Sequence, residues 1–313
     1  MKKNKKKPLV TVLMNCYNVE KFIYQAIKSV LKQSHKNLEL IILDDASKDK
    51  TVKIIKSFKD KRIKLFQNKI NIGLGPSRVK AQKKIRGDYI AIADADDYNS
   101  SKRIEKQLKT LQSKKNISFV CSWIKYVDNN NQIIGQKKFN LDINEIRETL
   151  LWKNILPHSS IMYKKNLAKK VGWYSKKLEY SQDYDLSLKL LKHYKCDVIK
   201  EFLAFHRIRK DSMTATKKLQ KKRIQEHIIN LKNARVLYKG MNNHLFRLNT
   251  RSIELNELKL LLLNFNFLNI FSILKKIFKI LIQFPEVIFL GLKKIIIRRN
   301  LNIIIHPNFE LFP

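Results

Sequence analysis

Short apolar runs rich in β-branched residues alternate with helical repeats in the first third of the chain, and this alternation restricts the possible folds. Each run has the length and composition of a buried strand, and each following segment spaces its apolar side chains three and four positions apart. Such alternation is typical of parallel βα units with both sheet faces covered. We therefore predict an α/β fold with a mostly parallel sheet flanked by helices. The predicted strands are 9–14, 38–43, 63–66 and 88–93, and the predicted helices are 20–33, 50–58, 77–84 and 103–111.

Polar residues follow three of these four strands. A single such residue is usually a helix cap or a turn residue. In open parallel sheets, however, ligands bind beyond the carboxyl ends of the strands, and three loops at one edge favour a ligand site. The residues are Asn15, Cys16, Tyr17 and Asn18 after the first strand, Asp44 and Asp45 after the second, and Asp94, Asp96 and Asp97 after the fourth.

The acidic group lies in IAIADADDYNS, residues 90–100, of a chain whose formal net charge is +39. Carboxylates this close repel one another unless a cation lies between them. Hard divalent cations such as Mg²⁺ and Mn²⁺ take oxygen ligands and often bind protein and phosphate oxygens at the same time. We therefore predict a Mn²⁺ or Mg²⁺ site formed by Asp94, Asp96 and Asp97, with a diphosphate as the other ligand. The sequence leaves open which of the three carboxylates touches the ion.

Six ordered segments resemble glycosyltransferase family 2, the inverting nucleotide-sugar enzymes with the GT-A fold. A lone DxD motif is a weak signal, whereas six segments in the family's order are a specific one. The resemblance implies a GT-A domain over residues 9–216 after a basic tail at 1–8, with a nucleotide-sugar half at 9–117 and an acceptor half at 118–216. The segments are VTVLMNCYNVEKFIYQAIKSVLKQS, LELIILDDASKDKT, NIGLGPSRVKA, GDYIAIADADD, GWYSKKLEYSQDYDLSLKL and FHRIRKDSMT.

The resemblance also implies a donor site. Asn15 and Tyr17 match the family's first nucleotide-contacting loop, where a phenol ring can lie against a base. Asp45 matches a carboxylate that accepts a hydrogen bond from the base. An ionised carboxylate accepts from N3–H of uracil or thymine but not from cytosine, so a uridine or thymidine donor is favoured, and a UDP-sugar is the predicted donor. Residues predicted to bind the donor are Asn15, Cys16, Tyr17, Asn18, Glu20, Asp45, Arg78, Asp94, Asp96, Arg207 and Arg209.

Two arginines near residue 208 are predicted to hold the diphosphate. In FHRIRKDSMT the family commonly has a histidine after the Arg-Ile pair, where this chain has Arg209. Arginine does not ligate metals, but it grips phosphate bidentately. Arg207 and Arg209 are therefore interpreted as diphosphate clamps, and the sequence assigns no metal-ligating histidine.

Asp183, in YSQDYDL, matches the family's general base. An inverting transfer needs one base, which removes the proton of the acceptor hydroxyl on the face opposite the leaving group. The structural alternative is a carboxylate that only stabilises a helix N-terminus. The family usually has Glu where this chain has Gln182, and a neutral amide does not raise the pKa of a neighbouring acid by repulsion. His158 is interpreted either as an acceptor-pocket residue or as a structural histidine.

Residues 217–313 are predicted to form a helical, basic extension. Within 258–305, apolar runs alternate with lysine pairs, and no run reaches the roughly 20 apolar residues of a spanning helix. Pro285 interrupts the helical pattern. This pattern favours helices that lie in the interface of an anionic membrane. The alternative is a helical annex packed on the catalytic domain.

Cysteine usage and the N-terminus predict a cytoplasmic protein. Together with the pattern of the extension, they predict a protein that is peripheral on the cytoplasmic face of the membrane. Cys16, Cys121 and Cys196 are odd in number and lack metal-ligand spacing, which argues against a disulfide framework. MKKNKKKPLV lacks the apolar core of a secretion signal. Residues 217–313 contain 18 Lys and Arg against 5 Asp and Glu, or +13, which is about a third of the net charge on about a third of the chain. The charge is therefore spread evenly, and no nucleic-acid partner is predicted.

The resulting hypothesis is an inverting, metal-dependent glycosyltransferase. It would move a sugar from a UDP-sugar to a glycan or lipid-linked acceptor in the synthesis of cell-surface polysaccharide, such as lipopolysaccharide, capsule or exopolysaccharide. One alternative is a nucleotidyltransferase on a related sheet, but that class is expected to have a glycine-rich loop after the first strand, and MNCYNVEK has no glycine. A second alternative is a non-catalytic nucleic-acid binder, whose affinity would fall steeply with salt.

Overall fold

The computed structural model describes residues 7–209, 217–264 and 269–287. The chain divides into two compact units, one of residues 1–147 with 156–216 and one of residues 148–155 with 217–313. The predicted basic tail lies mostly outside the described residues, as do the end of the FHRIRKDSMT segment and residues 288–313 of the predicted extension. The assignment of halves and extension to functions remains a prediction.

Nine strands form one mixed sheet in the first unit. Its order is β3-β2-β1-β4-β8-β6-β9-β5, and β7 pairs with β6. The four strands at one side are mutually parallel, β6 and β9 are also parallel, and β8 runs antiparallel between β4 and β6. The predicted α/β class is confirmed. The strands are β1 Val10–Cys16, β2 Leu38–Asp44, β3 Ile63–Gln67, β4 Tyr89–Asp94, β5 Tyr98–Asn99, β6 Ile117–Val127, β7 Ile133–Lys137, β8 Met162–Lys164 and β9 Lys195–Arg207.

Helices of the first unit pack on the sheet, and their buried apolar side chains form the core. In α1, Ile23, Ala26, Ile27 and Val30 are buried at helical spacing. Every residue of β2 is buried, as expected for a central parallel strand. The helices are α1 Ile23–Leu31, α2 Thr51–Ser57, α3 Leu74–Gln82, α4 Arg103–Ser113, α5 Ile143–Leu150, α6 Lys165–Lys170, α7 Gln182–His193, α8 Lys217–Leu237, α9 Asn243–Leu263 and α10 Ile270–Gln283.

Helix α3 begins three residues before the predicted start at residue 77. Gly73 precedes it with φ at 87°, a left-handed conformation that favours glycine. Pro76 then lies in the first turn, where its missing N–H would have no helical partner in any case. The helix tolerates the proline, which explains why the predicted start was too late.

Glu39 on β2 anchors the amino end of the sheet. Its side chain is 3% exposed and accepts hydrogen bonds from the Thr11 hydroxyl at 2.7 Å and from the Arg86 backbone N–H at 3.0 Å. The Arg86 guanidinium adds an ion pair at 2.7 Å. Burial acts to raise the pKa of Glu39, but these hydrogen bonds outweigh it and hold the pKa below 4.5. The carboxylate form is therefore the one that stabilises the fold.

Glu39→Gln is expected to destabilise the chain by about 1–3 kcal/mol at pH 7. The carboxylate accepts several hydrogen bonds, whereas an amide has only one oxygen to accept them. A depressed pKa gives stability that is complete above the unfolded value and is lost as the pH falls through the folded value. The difference between wild type and variant should therefore shrink as the pH falls below 4.5. Urea unfolding at pH 7, 5 and 3.5 measures it, and a difference that is independent of pH would contradict this role.

The second unit contains a helical hairpin and α10. The Asn242 side chain caps α9 by accepting from the Leu245 N–H at 2.8 Å. Asn249, fully buried in α9, donates to the Leu231 carbonyl of α8 at 3.0 Å and to the Leu151 carbonyl. Among the described helices, none has the length and apolarity needed to cross a bilayer.

Candidate active site

The strand register brings the polar loops to one edge of the sheet. Parallel pairing places Asn15 of β1 opposite Asp94 of β4, and Cys16 opposite Asp44 of β2. Because these strands end level with one another, the loops after β1, β2 and β4 surround the same space. This is the edge at which ligands bind in open α/β sheets.

Asp94, Asp97 and His206 form a cluster at this edge, with one ligand atom from each within 4.8 Å of the others. Asp97 is 3% exposed; its Oδ2 lies 2.9 Å from His206 Nδ1, and its Oδ1 accepts from the Arg207 N–H at 2.8 Å. The antiparallel pairing of β5 with β9 brings His206 here, since Tyr98 lies opposite Phe205. Sequence reasoning missed His206, although it directly precedes Arg207 in the FHRIRKDSMT segment.

Asp96 has a different partner. Arg209 Nε and Nη2 both lie 2.9 Å from Asp96 Oδ2. Of the three carboxylates predicted to bind the metal, Asp94 and Asp97 thus share a cluster with His206, whereas Asp96 is in an ion pair. The predicted set of Asp94, Asp96 and Asp97 remains a prediction.

The cluster has an excess of negative charge. Burial, with the neighbouring Asp97 and Asp96, raises the pKa of Asp94 to about 7, although Arg78 and His206 oppose the rise. Burial lowers the pKa of His206, but the charge and hydrogen bond of Asp97 outweigh it and raise that pKa to about 9. Two carboxylates and one imidazole suit a divalent cation, and the imidazole would lose its proton when the ion binds.

Arg78 provides an uncommitted positive charge near this cluster. It lies on α3 with 6% of its surface exposed, and its guanidinium carbon is 5.8 Å from the ring centroid of Tyr174. Among the described residues, no hydrogen bond or ion pair to Arg78 is found. A buried guanidinium without a carboxylate partner is costly unless an anion binds it. The position of Arg78 therefore suits an anionic ligand.

The Arg207 guanidinium is used by the protein itself. It donates to the carbonyls of Asp96 and Asp128 and to the side chains of Gln25 and Asn131. Four of its five N–H groups are thereby occupied. Arg207 joins the loop after β4 to α1 and to the β6–β7 turn, so Arg78 is better placed than Arg207 to meet a phosphate.

Asn18 and Glu20 connect the loop after β1 to the loop after β2. Asn18 Oδ1 accepts from the Lys48 N–H at 2.9 Å, and Glu20 Oε2 accepts from the Lys50 N–H at 2.8 Å. The Glu20 N–H in turn donates to Asp49 at 3.0 Å. These two residues of the predicted donor set therefore fix the shape of the site from its rim.

The other residues of the first loop differ in exposure. Tyr17 is 38% exposed, so its ring is available to a base. Cys16 is buried, its thiol lies 3.6 Å from Asp44 Oδ1, and burial raises its pKa strongly, which makes the thiol inert. The Asn15 side-chain nitrogen is buried and has no partner among the described residues. Asn15 and Tyr17 thus keep polar groups for a ligand.

Asp45 holds the loop that leads into α3. Its carboxylate accepts from the Asn68 side chain at 2.7 Å, the Ile72 N–H at 3.0 Å and the Gly73 N–H at 2.8 Å. A carboxylate has about four lone-pair sites, so one remains for a ligand. The predicted contact with the base is compatible with this geometry but would be a fourth hydrogen bond.

Asp183 lies in the first turn of α7 and lines a small cavity of about 10 Å³. His158 shares this cavity, and its Nε2 lies 3.0 Å from the Tyr174 hydroxyl. Burial, followed by the charges of Arg78 and Arg103, lowers the pKa of His158 well below its usual value. The imidazole is therefore neutral and connects to Tyr174, whose ring also faces Arg78.

Gln182 is fully buried, and its side-chain amide donates hydrogen bonds to two backbone carbonyls of the preceding turn. Its Nε2 donates to the Ser175 carbonyl at 2.8 Å and to the Leu178 carbonyl at 2.6 Å. An ionised glutamate would place negative charge against two carbonyl oxygens. The amide at this position therefore matches its surroundings, although the family usually has an acid.

Gln182→Glu is accordingly expected to lower the free energy of unfolding by about 1–3 kcal/mol at pH 7, because two buried acceptors lose their donor. Urea unfolding measures the loss. Gln112→Glu, at an exposed position of α4, is the matched control and should change stability little. Equal stability of the two variants would show that the Gln182 amide does not hold the turn.

Known proteins share this fold. Mannosyltransferase PcManGT from Pyrobaculum calidifontis, solved in complex with GDP-Man and Mn²⁺, superposes with a TM-score of 0.60 at 16% identity, covering 91% of this chain and 84% of that one. S. aureus TarS 1–349 in complex with UDP gives 0.55 at 17% identity, covering 82% and 86%. The fold is therefore that of the GT-A glycosyltransferases.

The sequence comparisons place the chain within that class. The model of glycosyl transferase family 2 matches residues 11–173, more than half of the chain. An uncharacterized glycosyltransferase of Methanocaldococcus jannaschii is 39% identical over 208 residues, which are 64% of this chain and 71% of that protein. The chain belongs to glycosyl transferase family 2.

A relative with a named reaction matches a shorter segment. UDP-Glc:alpha-D-GlcNAc-diphosphoundecaprenol beta-1,3-glucosyltransferase WfgD of Escherichia coli is 39% identical over 128 residues. These are 41% of this chain and 50% of that protein. The match thus spans half of that relative's length.

Proposed function

We propose that this glycosyltransferase moves a sugar, with inversion, from a UDP-sugar to a hydroxyl of a glycan or lipid-linked acceptor in cell-surface polysaccharide synthesis. The observation that carries the proposal is the cluster of Asp94, Asp97 and His206 near the buried, uncommitted Arg78. A region rich in carboxylates next to a buried guanidinium suits a divalent cation together with a diphosphate. The lipid-linked acceptor is suggested by the diphosphoundecaprenol in the name of the Escherichia coli relative.

The metal site in this proposal consists of Asp94, Asp97 and His206. When bound, Mn²⁺ or Mg²⁺ neutralises the charge that develops on the departing diphosphate. Arg78 and Arg209 are placed to hold diphosphate oxygens, and Tyr17 offers a ring to the base.

Asp183 is the proposed general base. As the acceptor oxygen forms its bond to C1 of the sugar, the bond from C1 to the diphosphate oxygen breaks, and the acceptor proton passes to the Asp183 carboxylate. The diphosphate leaves with the electron pair of the broken bond. His158 lines the same cavity and is bonded to the Tyr174 hydroxyl, and Asp183 is the carboxylate to which this proposal assigns the proton.

A thermal-shift panel of UDP, TDP, GDP, CDP and ADP, with and without Mn²⁺, tests the donor and the metal together. A ligand at about 100 times its Kd stabilises by about 2.7 kcal/mol. We expect a rise in melting temperature with UDP that requires Mn²⁺. No shift with any nucleotide, or an equal shift in the presence of a chelator, would overturn the proposal.

A further inference from the structure

Helix α10 turns a lysine inward and five large apolar side chains outward. A surface helix in water normally does the reverse. The inner side carries Lys276, only 15% exposed, which forms ion pairs with Glu254 and Glu257 of α9. Ile273 and Ile280 are buried beside it. The outer side exposes Phe271 at 81%, Leu274 at 55%, Phe278 at 67%, Leu281 at 37% and Ile282 at 64%.

These five outward residues, which we call the α10 apolar face, form one stripe because they recur at intervals of three and four positions. The ion pairs fix the direction of the stripe. Rotation of α10 about its axis would separate Lys276 from Glu254 and leave a buried charge unpaired, which is costly. Lys279 adds a second contact to Glu254 at 2.9 Å. The apolar face is thus held toward the surroundings.

We infer that the α10 apolar face lies in the interface of an anionic membrane. Exposed lysines border the stripe: Lys275 follows Leu274, and Lys279, which stays half exposed beside its ion pair with Glu254, follows Phe278. An apolar stripe bordered by lysines is the pattern of helices that lie in the headgroup region and not across the bilayer. Basic residues near such a surface add electrostatic attraction to anionic lipid.

Charge selects the membrane over a second copy of the chain. The formal net charge is +39, so two copies that met through α10 would bring like charges together. Anionic lipid has the opposite sign, and the cytoplasmic leaflet is the anionic one. The inference deepens the proposed function. It rests on that function in one respect: a lipid-linked acceptor would lie at a bilayer.

Co-sedimentation of the full chain with vesicles tests this inference. We expect binding to vesicles of phosphatidylglycerol and phosphatidylcholine, and much weaker binding to phosphatidylcholine alone. The double variant Phe271→Ser and Phe278→Ser should bind the anionic vesicles at least roughly tenfold more weakly than the wild type, because two aromatic side chains no longer enter the interface. Lys275→Glu should weaken binding only to the anionic vesicles.

The matched control is Ile229→Ser with Val236→Ser, which removes two exposed apolar side chains from α8. It should bind vesicles as the wild type does. Equal binding of the two double variants would overturn the inference, as would a wild type that binds no vesicles. A shift from dimer to monomer in the Phe271 and Phe278 variant would instead assign the face to a second copy.

The same samples separate this inference from the proposed function. The shift in melting temperature with UDP and Mn²⁺ should be retained in the Phe271 and Phe278 variant. If vesicle binding is lost while the shift persists, both conclusions stand. If the wild type binds vesicles but shows no nucleotide shift, the proposed function fails and the membrane face remains.

Discussion

Asp183→Asn is expected to slow sugar transfer by about 10²–10⁴-fold, the usual contribution of a general base. Asparagine has nearly the same shape but does not take the acceptor proton. Asp183 lies in the first turn of α7 and is not part of the cluster of Asp94, Asp97 and His206. The shift in melting temperature with UDP and Mn²⁺ should therefore stay unchanged. Release of UDP from a UDP-sugar, in the presence of acceptor, measures the rate.

Asp197→Asn is the matched control for this experiment. Asp197 forms an ion pair with Lys114 at 2.6 Å, and the lysine is more than half exposed. The same chemical change there should leave the transfer rate near that of the wild type, because surface ion pairs contribute little. A wild-type rate in Asp183→Asn would remove the base from the proposed mechanism, while a loss of the UDP shift would place Asp183 in the donor site.

Asp94→Asn is expected to abolish the Mn²⁺-dependent UDP shift and at the same time to stabilise the metal-free protein. The raised pKa of Asp94, about 7, arises from burial and from repulsion by Asp97 and Asp96. A neutral amide of the same size removes that repulsion. A gain of about 1 kcal/mol would raise the melting temperature by roughly 2–4 °C in a protein of this size. Binding-site residues often carry such a cost in stability.

Asp96→Asn provides the contrast within the same loop. Asp96 is in an ion pair with Arg209, whose side chain is 11% exposed. Burial and the charge of Asp97 raise the pKa of Asp96, although Arg209 opposes the rise. Asp96→Asn should therefore stabilise the metal-free protein less than Asp94→Asn does, because it also takes a charged partner from the Arg209 guanidinium. If Asp94→Asn lowered the melting temperature, Asp94 would be a structural residue. If it kept the metal-dependent shift, Asp94 would not be a metal ligand.

Several site residues were found from the sequence because their roles follow from strand ends. A polar residue directly after a buried parallel strand lies at the carboxyl edge whatever the details of packing. Asn15 and Asp94 came together in this way, and the register of β1 with β4 places them opposite each other. The resemblance to family 2 added Asp183, which no local pattern distinguishes from an ordinary N-terminal helix acid.

Other parts of the site depend on contacts between distant segments. His206 reaches Asp97 across 109 positions because β5 pairs with β9, and a two-residue strand gives almost no signal in the sequence. The ion pair of Asp96 with Arg209 joins the same two regions and separates Asp96 from its neighbours. Sequence spacing treated the three carboxylates alike, whereas the pairing of strands distinguished them.

The sequence by itself determined the βα alternation, the α/β class and the edge of the sheet at which a ligand binds, because hydrophobic periodicity and strand direction are local properties. The tertiary structure alone decided which charges meet: His206 with Asp97, Arg209 with Asp96, and Lys276 with Glu254. These pairs determine which charged groups remain available at the sheet edge and which side of α10 is exposed. A charge is stable in a protein interior only beside its partner, and the partners lie far apart in the chain.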